Sequence, residues 1–226
     1  MRGVGTCRGV YPSRQTLLRE RSTGVEIAGI PGTRSLAIIT PGETVHFIQE
    51  TGAKAVESKH TVTSLIWPTL DKDGNLWFAE YVEKGQIGKV DAKSLKVTKW
   101  KIPTADGRPR RIQIDPEGVV WFAEFKSGKI GRFDPKTETM KEFTLPGPEA
   151  TPYALGLDRN GMVWYSSEHM DVVGALNPKT GRVTEYPYPH SENTMREFFA
   201  DREGRMWFGS PANNKVGYFY LAGAAK

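Results

Sequence analysis

A single cysteine, Cys7, is all the thiol chemistry that this 226-residue chain carries. One thiol closes no intrachain disulfide, and it builds neither a cysteine-rich zinc cluster nor a redox pair. Histidine is scarce as well: His46, His60, His169 and His190 are the whole set. None of them falls in an H-E-x-x-H pattern, and the chain has no Gly-rich phosphate loop or nucleophile elbow. No apolar run approaches the roughly 20 residues of a membrane-spanning helix. Arg2 and Arg8 are not followed by an apolar segment, so no secretory signal is visible and the compartment stays open. The net charge is +5, but the lysines are scattered through turns rather than gathered on one element. That describes a solvated rim and argues against a nucleic-acid surface.

What the chain has in quantity is turns and rings. It holds 24 glycines, 15 prolines, six tryptophans, ten phenylalanines and eight tyrosines, a composition suited to short, half-buried strands. The stretch from Arg108 to Pro146 shows how they are used. Ile112 and Ile114 alternate with polar neighbours, and Asp115-Pro116-Glu117-Gly118 turns the chain. Val119 to Phe125 is closed by Lys126-Ser127-Gly128, Ile130 to Phe133 by Asp134-Pro135-Lys136-Thr137, and Met140 to Leu145 ends the unit. Proline presets φ at the second turn position and glycine tolerates positive φ, so each break has a mechanism. Four strands of about five residues joined by tight turns form one antiparallel meander.

The unit recurs. Trp77, Trp121, Trp164 and Trp207 each follow an Asp-x-x-Gly turn, at Asp71/Gly74, Asp115/Gly118, Asp158/Gly161 and Asp201/Gly204, with spacings of 44, 43 and 43 residues between tryptophans. An apolar-Gly pair follows each time: Ile87-Gly88, Ile130-Gly131, Val173-Gly174 and Val216-Gly217. A period near 43 with four strands per repeat predicts an all-β propeller of four-stranded antiparallel blades. Residues 61–226 hold four such repeats, the last lacking text for an outer strand. Residues 1–60 do not carry the repeat. Their first 25 are expected to be poorly ordered, and Ser35 to Ile39 and Thr44 to Ile48 are expected as two strands of a decayed blade. An alternative expectation is that residues 1–60 are not the natural upstream sequence, in which case a leader would have been lost with them. Four blades are too few for the usual ring, so the propeller is expected to be incomplete, with sticky end blades that self-associate.

Topology places the chemistry. In a four-stranded meander the start of the first strand and the end of the second share one edge, which opens on the mouth of the central channel. Five residues before each turn aspartate stand Ile66, Arg110, Tyr153 and Arg196. Three residues after each tryptophan stand Glu80, Glu124, Ser167 and Ser210. Loops nearby add Glu168, His169 and His190. Arg110, Tyr153 and Arg196 are therefore expected to bind a small, anionic ligand, since arginine holds carboxylate or phosphate through paired donors. Glu124 is expected close to Arg110, their strands being neighbours.

The repeat text, Asp-x-x-Gly-x-Val-Trp-Phe-x-Glu, then Lys-Ile-Gly-Arg-x-Asp-Pro-Lys-Thr, then Val-Thr-Glu-Tyr-Pro, resembles the streptogramin B lyase (virginiamycin B lyase) family of seven-bladed propellers. More loosely it is similar to NHL-type repeats. The resemblance covers roughly residues 62–220. It implies a metal-assisted carbon–oxygen elimination that opens a cyclic depsipeptide antibiotic, and hence an antibiotic-resistance role. A second-strand glutamate would help hold Mg²⁺, making Glu80 and Glu124 the metal candidates, with Glu80 the better one if Arg110 pairs with Glu124. The family takes its base from a Pro-His-x-Ile entry to the first strand. Here that histidine position holds Ile66, Arg110, Tyr153 or Arg196, and arginine stays protonated at neutral pH. Only His169 or His190 would be left to act as the catalytic base. Two functions stay open: a lyase with an altered site, or a non-catalytic propeller that binds a ligand or a protein partner.

Overall fold

The computed structural model describes residues 26–29, 35–40, 44–51, 54–61, 65–94, 96–188 and 195–220, with side chains from residue 68 onward except 213. It is all-β. The strands are β1 (Glu26–Gly29), β2 (Ser35–Thr40), β3 (Thr44–Thr51), β4 (Lys54–Thr61), β5 (Leu65–Leu70), β6 (Leu76–Glu80), β7 (Gln86–Val90), β8 (Val97–Lys101), β9 (Pro109–Ile114) and β10 (Val120–Glu124). They continue as β11 (Lys129–Asp134), β12 (Thr139–Thr144), β13 (Pro152–Leu157), β14 (Val163–Ser167), β15 (Val172–Leu176), β16 (Val183–Pro187), β17 (Phe198–Ala200), β18 (Arg205–Ser210) and β19 (Lys215–Tyr220). A single 3₁₀ turn, Pro211–Asn213, is the one helical element among the described residues, and no helix there is long and apolar enough to cross a membrane.

The strands form five antiparallel meanders, β1–β4, β5–β8, β9–β12, β13–β16 and the three-stranded β17–β19. Residues 26–61 thus form a four-stranded sheet, rather than the two strands expected there. The expectation of poor order in the first 25 residues lies outside the described residues, as does His190. In the repeat region the first strand of each sheet lies against the first strand of the next, β5 on β9, β9 on β13 and β13 on β17. Those strands line the axis, and the sheets stack around it as the blades of an incomplete propeller.

Each conserved-phase feature of the repeat has one structural task. The turn aspartate accepts backbone N–H bonds with one carboxylate oxygen and the indole N–H with the other: Trp77 to Asp71 2.9 Å, Trp121 to Asp115 3.0 Å, Trp164 to Asp158 2.9 Å and Trp207 to Asp201 2.7 Å. The turn glycines take φ of 81°, 86°, 76° and 80°, which only glycine adopts freely. The glycine of the apolar-Gly pair sits under a ring from the second strand. A Cβ on Gly88, Gly131 or Gly174 would lie 2.2, 2.1 or 2.1 Å from Phe78, Phe122 or Tyr165. Because the ring crosses the third strand there, Tyr165 reaches Glu185 on the fourth strand at 2.7 Å.

Alternation along the second strand then assigns its two faces. Trp121 and Ala123 pack with Leu155, Val163 and Tyr165 of the following blade. Val120 and Phe122 pack with Trp77 and Ile87 of the preceding one. Every side chain of β6, β10 and β14 is buried, because both faces of these sheets are covered.

Candidate functional site

Arg110, Tyr153 and Arg196 come together at the mouth, one from each of three consecutive blades. The Tyr153 hydroxyl accepts from Arg110 Nη2 at 2.6 Å and from Arg196 Nη1 at 2.8 Å. Tyr153 itself is buried. Its ring lies under three guanidinium groups, with Cζ of Arg110, Arg111 and Arg196 at 4.1, 4.7 and 5.1 Å from the centroid. Arg110 is also 5.1 Å from the rings of both Tyr81 and Phe125. Cation–π contact of this kind holds a guanidinium in place without neutralising it.

Local backbone geometry makes this cluster. The pairing of β9 with β10 runs Phe122↔Ile112 and then Glu124↔Pro109, so three residues of the first strand oppose two of the second. The same irregularity occurs between Pro152 and Leu155 in β13. A bulge of this sort re-aims side chains at a sheet rim, and it turns Arg110 towards Tyr153.

Glu124 lies opposite Pro109, the residue next to Arg110, and its hydrogen bond goes to Ser127. Glu124 shares the phase of Val120 and Phe122, so it points between blades. It is fully buried, accepts from Ser127 Oγ at 2.9 Å through Oε2, and leaves Oε1 without a hydrogen-bond partner. Burial pushes its carboxyl up to about 7; the Glu142 charge adds to the rise, while Ser127 and Lys129 oppose it. Burial works against ionising Glu142 too, but Lys129 and Thr104 outweigh it and hold that group below the ordinary glutamate value. Glu142 binds Lys129 Nζ at 2.8 Å and the N–H and hydroxyl of Thr104 at 2.9 and 2.7 Å. Glu80 is likewise buried, its Oε1 2.6 Å from Lys99 Nζ.

These carboxylates do not fit a hard cation at the mouth. An ammonium group already stands against Glu80. Glu124 is closed off by Gly107, where a Cβ would lie 2.6 Å from Oε2. Among the described residues no three His, Cys, Asp or Glu side chains are arranged to hold a metal ion.

Of the loop residues, Glu168 Oε1 lies 3.9 Å from Arg196 Nη2. His169 is exposed, its ring 6.5 Å from Phe125 in an edge-on arrangement. Tyr81 and Phe125, which wall the cluster, escaped sequence reasoning. Their signal was available: each directly follows the glutamate that ends the second strand, 44 residues apart.

Four-stranded blades stacked around their first strands define an incomplete β-propeller. The chain belongs to the virginiamycin B lyase family, whose model matches residues 54–226. Among solved structures, a catalytically inactive virginiamycin B lyase from Staphylococcus aureus with quinupristin superimposes with a TM-score of 0.77 at 19% identity. That match covers 92% of this chain and 70% of the other. Selenomethionine-substituted virginiamycin B lyase from Staphylococcus aureus gives 0.71 at 17% identity, over 88% and 69%. An auxiliary nutrient binding protein from Bacteroides thetaiotaomicron gives 0.61 at 16%, over 86% and 59%. At such identities the likeness is one of fold. No curated protein matches the sequence.

Proposed function

We propose that this chain is a binding propeller of the virginiamycin B lyase family that takes an anionic small molecule at the mouth built by Arg110, Tyr153 and Arg196. The observation that supports this reading is the shared Tyr153 hydroxyl, which gathers two guanidinium groups where the family text would place histidines. Like charges are brought together at a cost, and an anion between or beside them offsets it. The metal-assisted carbon–oxygen elimination implied by the resemblance finds less support. It needs a carboxylate open to Mg²⁺ and a base. Glu80 faces Lys99, Glu124 is buried, and arginine cannot take a proton at neutral pH. His169 is the described histidine nearest to the cluster's aromatic wall, so it is the base on which an elimination reading would rest.

Calorimetric titration of the wild type and of Arg110→Ala with an acidic ligand and with Mg²⁺ tests the two readings. The binding reading expects acidic-ligand binding that Arg110→Ala weakens and no Mg²⁺ heat from either protein. Mg²⁺ binding to the wild type, together with opening of a cyclic depsipeptide that His169→Ala abolishes, would reverse the conclusion.

A further inference from the structure

Resting on that reading of the mouth, we infer that the ligand is a monocarboxylate carried on an aromatic or other flat apolar body, and that Tyr153 selects it by donating its hydroxyl proton. A phenol oxygen offers one donor and two acceptor positions, and a guanidinium only donates. The bonds from Arg110 Nη2 and Arg196 Nη1 therefore use both acceptor positions of Tyr153. Its O–H has no position left except as a donor, and none of the described residues accepts from it. Arg110 Nε is also buried without a partner. The cluster thus holds two unmatched donors, the Tyr153 O–H and Arg110 Nε, which suit an acceptor-only group such as a carboxylate.

Charge narrows the class further. Arg108 shares the Asp106 carboxylate with Lys126, with Arg108 Nε at 2.7 Å. Arg111 lies in the field of Glu197, and Arg196 has Glu168 at 3.9 Å. Among the described residues, Arg110 has no carboxylate partner. The Arg110 guanidinium is therefore left to pair with a carboxylate of the ligand.

The wall supplies the rest of the specificity. Tyr81 and Phe125 stand 6.2 Å apart, Phe125 and Tyr153 5.9 Å apart in an edge-on arrangement, and Arg110 lies among all three. Tyr81 and Phe125 are half-buried, so part of each ring is open beside the donors. A flat apolar body attached to the carboxylate has surface to cover there, and acetate has none.

The probes are benzoate, acetate and inorganic phosphate, titrated calorimetrically into the wild type, Tyr153→Phe and Arg110→Met. Tyr153→Phe keeps the ring under the guanidinium groups, and thermal melts establish that each variant is folded. The expected order in the wild type is benzoate above acetate and phosphate. Tyr153→Phe should weaken benzoate roughly tenfold to a hundredfold, the range for a hydrogen bond to a charged group. Arg110→Met should weaken it at least as much and, being a separate substitution, serves if Tyr153→Phe does not fold. If the wild type and Arg110→Met bind all three probes equally or not at all, the reading of the mouth itself falls. If Arg110→Met loses benzoate but folded Tyr153→Phe retains wild-type affinity, only the hydroxyl's role is overturned. Acetate or phosphate binding as tightly as benzoate would overturn the ligand class.

Discussion

The second blade, β9–β12, and the last, β17–β19, carry the same repeat text in different surroundings. In the second blade Trp121 is bonded to Asp115, is 2% exposed, and packs against the next blade. In the last blade Trp207 keeps the bond to Asp201, but its face of the sheet meets no further blade among the described residues. Phe199, Val216, Tyr218 and Tyr220 on that face are 59%, 76%, 45% and 60% exposed. Arg205 takes the place that Val119 has in the second blade, and its guanidinium lies 5.2 Å from the Trp207 ring and 5.4 Å from Tyr218. An arginine stem covers apolar surface while its head stays in water. The repeat text therefore builds a blade from within, through the Asp–Trp bond and the ring over glycine. Covering the tryptophan face is the neighbour's task.

The largest expected effect separates the two tryptophans. Trp121→Ala should cost roughly 3–5 kcal/mol, the range for emptying a packed core site. Trp207→Ala should cost less, about 1–2 kcal/mol, because Tyr218 and Arg205 of its own blade are what cover its ring. Denaturant unfolding of both variants measures the gap, and equal losses would mean that something covers the last blade.

The second blade also contains a buried acid that the last does not, since Ser210 stands where Glu124 does. Glu124 has its ordinary value of 4.5 when unfolded and about 7 in the fold. Below 4.5 both states are protonated and the group is neutral in its effect. Between 4.5 and 7 the unfolded chain loses the proton while the folded chain keeps it, so stability falls as pH rises. Above 7 the loss is complete, at roughly 3 kcal/mol for such a shift. Glu124→Gln should remove this slope: stability near the wild type at about pH 4 and greater at about pH 8. Melts across that range that leave the two proteins parallel would show that the fold leaves the Glu124 carboxyl at its ordinary value.

The smallest effect on stability falls on the open face. Val216→Lys with Tyr218→Lys should change the unfolding free energy by only about 0.5 kcal/mol, as exposed positions do. We expect the wild type to self-associate through this face and the double variant to be monodisperse by sedimentation velocity. A wild type that is already monomeric at high concentration would remove the distinction between end and inner blades.

How far the site was legible depends on the range of the interaction that made it. Arg110, Tyr153 and Arg196 are 43 residues apart, so repeat arithmetic alone brought them to one rim. Glu80 and Glu124 were placed at the same rim, though their phase with Phe78 and Phe122 was readable and points between blades. Lys99 and Glu142, 43 residues apart on the fourth strand, are the groups they meet, two strands across the same blade.

The sequence by itself determined the blade. Its turns, its Asp–Trp clasp and its ring-over-glycine contact each act within about 20 residues, and their period carries them through the chain unchanged. Only the tertiary structure decided which charges are opposed. The ladder of β9 on β10 shifts register between Phe122 and Glu124, and Arg110 beside that shift bonds to Tyr153 of the next blade. The packing of one blade on the next buried Trp121 and left Trp207 without a covering blade among the described residues, because burial is set by which faces a neighbouring blade covers.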